Sequence, residues 1–324
     1  MSGQRLLAAF TEAELAKVHI LLASKVSSMF GRKFEEGDWA DVYCAAKGIP
    51  ETGWSNLNID VMFNGLGVEH KMLSVPPDES ILNYCGTSLM HPSATRSIRI
   101  PESEEDPTTA ARDVLSQYAE LINERRRKVS ENAGGVVPDM RTGWLLWQTN
   151  LKEFLYFEEE MKAPNPDLYW AEWRESGGGS RKKSRNLWVY DGETGKKRYS
   201  ITTTAGAKIQ PYFDIPPPNS PHLYRFVVQG EVLADGNVRV WVSNQTATQL
   251  KRLIGELNAA NLERAIAKAA AVERKQNLED IPNIIKGVPL IISKQSYAKL
   301  YECFKGVSDH HNLEQLLQML LDGD

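Results

Sequence analysis

Three features of the sequence predict a mixed α/β protein of the α+β kind. Residues 11–29 and 109–131 carry apolar side chains at helical spacing, residues 57–75 form two alternating segments around an Asn-Gly step, and residues 187–242 hold short β-rich segments between turn residues. In the first helix Thr11 and Glu14 make a capping-box pattern, and Leu15, Val18, Leu22 and Val26 follow on one face. A second helix is predicted over 39–47, with Asp38 as its cap and Gly48 as its stop. Strands 57–63 and 68–75 flank a turn at 64–67 and read as a hairpin.

Residues 80–106 read as a loop ending in an acidic stretch, and the 109–131 helix after it closes on four cations, Arg125–Lys128, at a solvated helix end. Aromatic and aliphatic strands follow over 143–148 and 153–158, then a flexible basic loop over 175–185 that contains three consecutive glycines. Strands are predicted at 187–190, 198–204, 223–232 and 238–242. An alanine-rich pattern from 246 to about 273 reads as one long helix, and a short strand (289–292) and two helices complete the chain, with no internal repeat.

With 324 residues the chain has room for about two domains. Its 42% hydrophobic and 25% charged fractions are those of an ordinary globular protein. No apolar run approaches the ~18 residues of a membrane span, and no basic-then-apolar leader pattern opens the sequence. Cys44, Cys85 and Cys303 are too scattered for a disulfide framework or a zinc site, so the chain reads as a reduced, cytoplasmic protein without membrane partners. The net charge of −4 argues against a protein that coats nucleic acid, so any DNA contact must come from clustered cations. Gly-rich phosphate loops, Ser-His-Asp orders and Cys-x-x-Cys pairs are absent.

The chemistry lies on the hairpin. Asp60 is in its first strand and Glu69-His70-Lys71 in its second, where alternation turns Glu69 and Lys71 to one face and His70 to the other. Two carboxylates and a lysine are costly to bury as core, and a divalent cation bridging the acids relieves that cost, since hard cations take oxygen ligands. Such an ion polarises a phosphate and lowers the pKa of bound water, while Lys71 is suited to stabilise growing negative charge. The bland alternative is a cross-strand salt bridge on a half-solvated hairpin, which contributes about 0.2–1 kcal/mol.

This pattern of an acid, a gap and then acid-x-lysine resembles the PD-(D/E)xK nuclease superfamily, and type II restriction endonucleases in particular. Ile59 stands where the family's naming proline would be, and the resemblance covers roughly residues 34–157. It implies a restriction-endonuclease-like αβββαβ core within residues 1–165, and a β-hairpin-rich and helical region over 166–324 for DNA recognition and dimerisation. It also implies Mg2+ held by Asp60 and Glu69, double-stranded DNA as substrate, and a homodimer, because two strands must be cut. Members of the family often add an acid from the preceding helix; Glu35, Glu36, Asp38 and Asp41 are candidates, with Glu36 preferred.

Acid-x-lysine occurs twice more. Glu273-Arg274-Lys275 sits in a helical pattern that separates the two side chains. Asp139 with Glu160 and Lys162 is the rival site, preceded by a literal Pro138, although Glu160 ends an acidic run. The DNA contact is assigned to Arg181, Lys182, Lys183, Arg185, Lys196, Lys197 and Arg198, seven cations against two acids between 181 and 198, in a hairpin that also carries Trp188, Tyr190 and Tyr199. Lys208 and Gln210 extend that surface, and His91 and Arg96 follow the hairpin closely enough to face DNA.

Overall fold

The computed structural model describes residues 5–29, 32–50, 59–91, 93–94, 98–99, 105–176, 184–202, 208–270 and 287–322. Thr11 accepts from the Glu14 N–H while the Glu14 carboxylate accepts from the Thr11 N–H, and this reciprocal cap starts α1 (Glu12–Ser27). The second helix, α2 (Glu36–Lys47), begins earlier than its spacing predicts. Asp38 lies inside its first turn, accepts the Glu35 N–H at 3.0 Å and pairs with Arg32 at 2.5 Å. Gly48 stops this helix at φ +67°, a conformation that suits glycine.

The hairpin forms between β2 (Val61–Phe63) and β3 (Leu66–Val75), with Asn64 and Gly65 both at positive φ in a two-residue turn. Its first strand starts one residue after Asp60, and residues 51–58 lie outside the described ones. Strand β3 runs parallel to β6 (Asp139–Gln148), and a parallel pair needs a crossover. That crossover contains α3 (Pro107–Asn132), which Asp106 caps through the Thr109 N–H with Pro107 in the first turn. Strand β7 (Glu153–Glu160) pairs antiparallel with β6, and its far edge takes β1 (Leu6–Leu7) and β12 (Tyr224–Val227). The first sheet is therefore ordered β1-β7-β6-β3-β2, with residues from beyond position 166 built into it.

A second sheet is an antiparallel meander of β8 (Tyr169–Ser176), β9 (Ser184–Asp191), β10 (Lys197–Thr202) and β11 (Lys208–Asp214). The edge of β11 takes β4 (Ser88–Met90) and β5 (Ser93–Ala94), so the segment read as loop contributes two short strands. Helix α3 serves both sheets. Ala111, Val114 and Leu115 pack on Leu187, Val189 and Ile201 of the second sheet, while Ile122 and Val129 pack with Met140 of the first and with Met161 just beyond β7. Trp144 of β6 stacks on Phe213 of β11 at 3.7 Å and joins the two sheets. Behind the first sheet, α1 and α2 bury Val68, Leu145, Phe154 and Tyr156.

The C-terminal part holds a repeat that the bare sequence does not reveal. Its β-sheet joins β13 (Glu231–Val232), β14 (Asn237–Ser243) and β15 (Gly287–Ser293). Strand β14 is followed by α4 (Asn244–Ile254) and α5 (Ala259–Ala270), and β15 by α6 (Lys294–Phe304) and α7 (Asp309–Leu321). Ser243 and Ser293, 50 positions apart, each cap the next helix through the N–H of Thr246 and Ser296. The side chains of Asn261 and Asn312 each close an interhelical loop, through the Glu256 carbonyl and the Gly306 N–H. Val240 pairs with Leu290, its own counterpart, so a pseudo-two-fold axis passes between β14 and β15. The predicted long helix from residue 246 is broken at Gly255, φ +82°, and α4 and α5 fold as a pair.

Candidate active site between the two sheets

Alternation along β3 turns Glu69 and Lys71 toward the second sheet and His70 toward α2. Lys71 Nζ lies 2.6 Å from Glu69 Oε1, and Arg125 of α3 lies 3.5 Å from Glu69 Oε2. The Glu69 and Lys71 side chains are only 12% and 18% exposed, which sets them apart from a solvated hairpin salt bridge. Beyond its ion pair with Arg125, Glu69 Oε2 accepts no hydrogen bond among the described residues.

Asp60 precedes Val61, which pairs with Val68, so the register brings Asp60 beside Glu69. As a residue it reaches the surface, yet its carboxylate turns inward to accept the His70 N–H at 2.6 Å. Burial of that carboxylate, and then the negative charges of Glu69 and Glu36, push its pKa up; the His70 N–H and Lys71 oppose this. Of the four helix acids, Glu36 alone lines the cleft. Asp38 and Asp41 are paired with Lys25, and Glu35 lies outside the lining.

The cleft has a volume of about 570 Å³. Glu36, Glu69, Lys71, His91 and Arg125 line one side, and Arg198, Tyr199, Tyr212 and Asp214 of the second sheet line the other. His91 Nε2 lies 3.1 Å from the Met72 carbonyl, a partner that requires the proton on Nε2, while Nδ1 is buried without a hydrogen bond. Burial, and then the charge of Lys71, hold the His91 pKa down to about 4, so the ring is neutral near pH 7.

Arg125 is the residue that sequence reading assigned to solvent. The signal was present, because Arg125 lies three residues after Ile122 and four before Val129, on the apolar stripe of α3. The rival site is drawn apart. Asp139 is bound by Arg141 of its own strand and, like Asp60, does not line the cleft, while Glu160 and Lys162 stand at the cleft margin, 3.4 Å from one another.

The basic cluster is also divided. Arg181, Lys182 and Lys183 lie outside the described residues, as does Arg96. Arg198 lines the cleft and pairs with Asp214 at 2.9 Å, and Lys196 is 3.8 Å from the same carboxylate. Lys197 lies 3.3 Å from the Trp188 ring centroid, and Arg185 lies 3.8 Å from that of Trp173. Tyr199 points away from Trp188 and Tyr190 and packs edge-on against Tyr118 and Tyr169 inside the protein. Gln210 sits opposite Ser200, and Lys208 opposite Thr202.

Among the described residues, no three His, Cys, Asp or Glu side chains are gathered closely enough to hold a metal ion. Asp60 and Glu69 are a two-carboxylate pair with hard oxygen donors and mutual repulsion, which suits a cation that brings further ligands of its own. No helix among the described residues is long and apolar enough to cross a membrane. No protein-family model, curated protein or solved structure matches the chain.

Proposed function

We propose that the cleft is the active site of a magnesium-dependent endodeoxyribonuclease of the PD-(D/E)xK kind that cuts double-stranded DNA at specific sequences, as type II restriction enzymes do. The observation that carries this reading is that Glu69 and Lys71 line one cleft while Asp60, on the neighbouring strand, lies close enough to feel their charges, with the hairpin followed by a helix and then a parallel strand. Asp60 and Glu69 would hold Mg2+, with Glu36 near enough to add its charge. The ion, when bound, supplies phosphate polarisation and an acidified water. Lys71, held at 2.6 Å by Glu69, presents a positive charge to the scissile phosphate, and Arg125 limits the negative charge on Glu69. Arg198 on the facing sheet lines the cleft and would meet an entering phosphate by giving up its pair with Asp214. A homodimer would bring two such clefts to the two strands of a palindromic site.

The test is incubation of supercoiled plasmid with the protein and Mg2+. Discrete fragments are expected from the wild type and from Lys162→Ala. Lys71→Ala should lose at least about 100-fold in cutting rate, while still shifting duplex DNA on a gel. Cutting that survives in Lys71→Ala, or is lost in Lys162→Ala, overturns the assignment.

One observation favours a second reading, a DNA-binding protein without catalysis. Lys71 and Arg125 already neutralise Glu69, as a purely structural ion cluster would. A gel shift with no cutting under any divalent cation decides for that reading.

A further inference from the structure

The second sheet has two unlike faces. Leu187, Val189, Ile201 and Ile209 pack under α3, the only helix that packs substantially on β8–β11 among the described residues. The opposite face carries Trp170, Trp188, Tyr190 and Tyr212, and alternation sets them side by side. Trp170 stacks on Tyr190 at 4.4 Å with its outer surface open, 44% of the residue being exposed. Lys197 Nζ bridges two rings, 3.3 Å from the centroid of Trp188 and 5.1 Å from that of Tyr212. Arg174 lies 5.4 Å from Trp188, and Glu172 is taken up by Arg174 at 2.9 Å and by the Tyr190 hydroxyl at 2.6 Å, while Asp214 beside Tyr212 is paired with Arg198.

This row begins at the cleft. Tyr212 lines the cavity that holds Glu69 and Lys71, and from it the rings and cations run outward through Lys197 and Trp188 to Arg174, with the Trp170–Tyr190 stack beside them on β8 and β9.

We propose that this face is a track for single-stranded DNA, with bases stacked on Trp170, Trp188 and Tyr212 and phosphates met by Lys197 and Arg174. An open ring at Trp170, with half-buried Trp188 and Tyr212 and a cation continuing the row, suits unstacked bases on a polyanion, whereas a duplex hides its base faces. A neutral sugar chain would use the rings but draw nothing from the charge of Lys197, which lies against Trp188 and Tyr212. The proposal goes beyond the nuclease reading, which supplies only the reason for a strand to leave the cleft; binding itself does not depend on cutting.

The full chain is titrated against a fluorescein-labelled oligo(dT) 20-mer by anisotropy, in EDTA and low salt, with a blunt duplex and an oligo(U) 20-mer as comparisons. The wild type should bind the DNA strand more tightly than either comparison. Trp170→Ala, a change at an exposed position, should weaken binding by about ten-fold, and Trp170→Phe should restore most of it. Lys197→Gln should lower the slope of log affinity against log salt by about 0.7. Preference for the duplex or the RNA, or binding unchanged in both Trp170→Ala and Lys197→Gln, overturns the proposal. Lys71→Ala separates the two readings, since it should keep strand binding while losing cleavage. If no protein cuts plasmid yet strand binding depends on Trp170, the track stands and the nuclease reading falls.

Discussion

The Asp60 carboxylate accepts the backbone N–H of His70 at 2.6 Å, so the acid beside Glu69 is held by the strand residue whose ring anchors the opposite core. The His70 ring is fully buried, edge-on to Tyr43 at 5.0 Å and to Trp39 at 6.3 Å. Because one strand supplies both contacts, the spacing of Asp60, Glu69 and Lys71 depends on how well the far side of the sheet is packed.

Cation affinity should respond with opposite signs to two changes at this cleft. Arg125→Gln removes positive charge beside Glu69 and should tighten apparent Mg2+ binding several-fold; Glu36→Gln removes negative charge beside Asp60 and should weaken it by a similar factor. Isothermal titration with Mg2+ checks both, and equal signs would remove Asp60 and Glu69 from the metal site.

His70 predicts acid lability. Burial, with a smaller contribution from Lys71, holds its pKa down to about 3 in the folded chain against 6.5 when unfolded. Between those values the unfolded chain binds the extra proton, so stability is complete above about pH 6.5 and falls as the pH drops toward 3. The loss between pH 7 and pH 5 should be about 2 kcal/mol, and His70→Leu should abolish it. Urea unfolding of both proteins at the two pH values measures the difference.

Asp309 predicts the opposite slope. It is fully buried, accepts from Tyr297, Tyr301 and the Gly230 N–H, and burial raises its pKa to about 6 from 3.8. The folded chain then binds more protons between pH 4 and pH 6, so stability falls as pH rises through that window. Relative to the wild type, Asp309→Asn should gain about 3 kcal/mol on going from pH 3.5 to pH 7.5. Thermal and urea unfolding at those two values test the sign.

Gly143 leaves the room that this buried network needs. A Cβ there would collide with the Tyr156 hydroxyl and approach His70 Nδ1 to 2.8 Å. Tyr156 in turn donates to Glu158 at 2.8 Å, a fully buried carboxylate that Arg141 also meets at 2.8 Å. Gly143→Ala should cost about 1–3 kcal/mol, read from the urea midpoint, and a neutral change would show that the network yields freely.

Local signals made much of this chain legible. Capping pairs and glycine stops mark α1, α2 and α3 within a few residues, because they act over one helical turn. The Asn64-Gly65 turn sets the register of β3, and with it the shared face of Glu69 and Lys71. Strands β4 and β5 escaped because each is two or three residues long and exists only through pairing with β11. The repeat escaped because few identical residues carry it; its plainest mark is the pairing of Val240 with Leu290, a contact between distant residues.

The sequence by itself therefore determined the mixed α/β class, the hairpin and the facing of its acid-x-lysine, since period and turn chemistry are properties of neighbouring residues. Only the tertiary structure decided which distant groups share the cleft. Arg125 reaches Glu69 because α3 crosses over β3, Glu36 reaches Asp60 because α2 packs behind the same sheet, and Tyr212 and Arg198 arrive on the second sheet. Asp139, with its Pro-Asp pattern, is held by Arg141 instead. Packing, and not spacing along the chain, sets which charges meet.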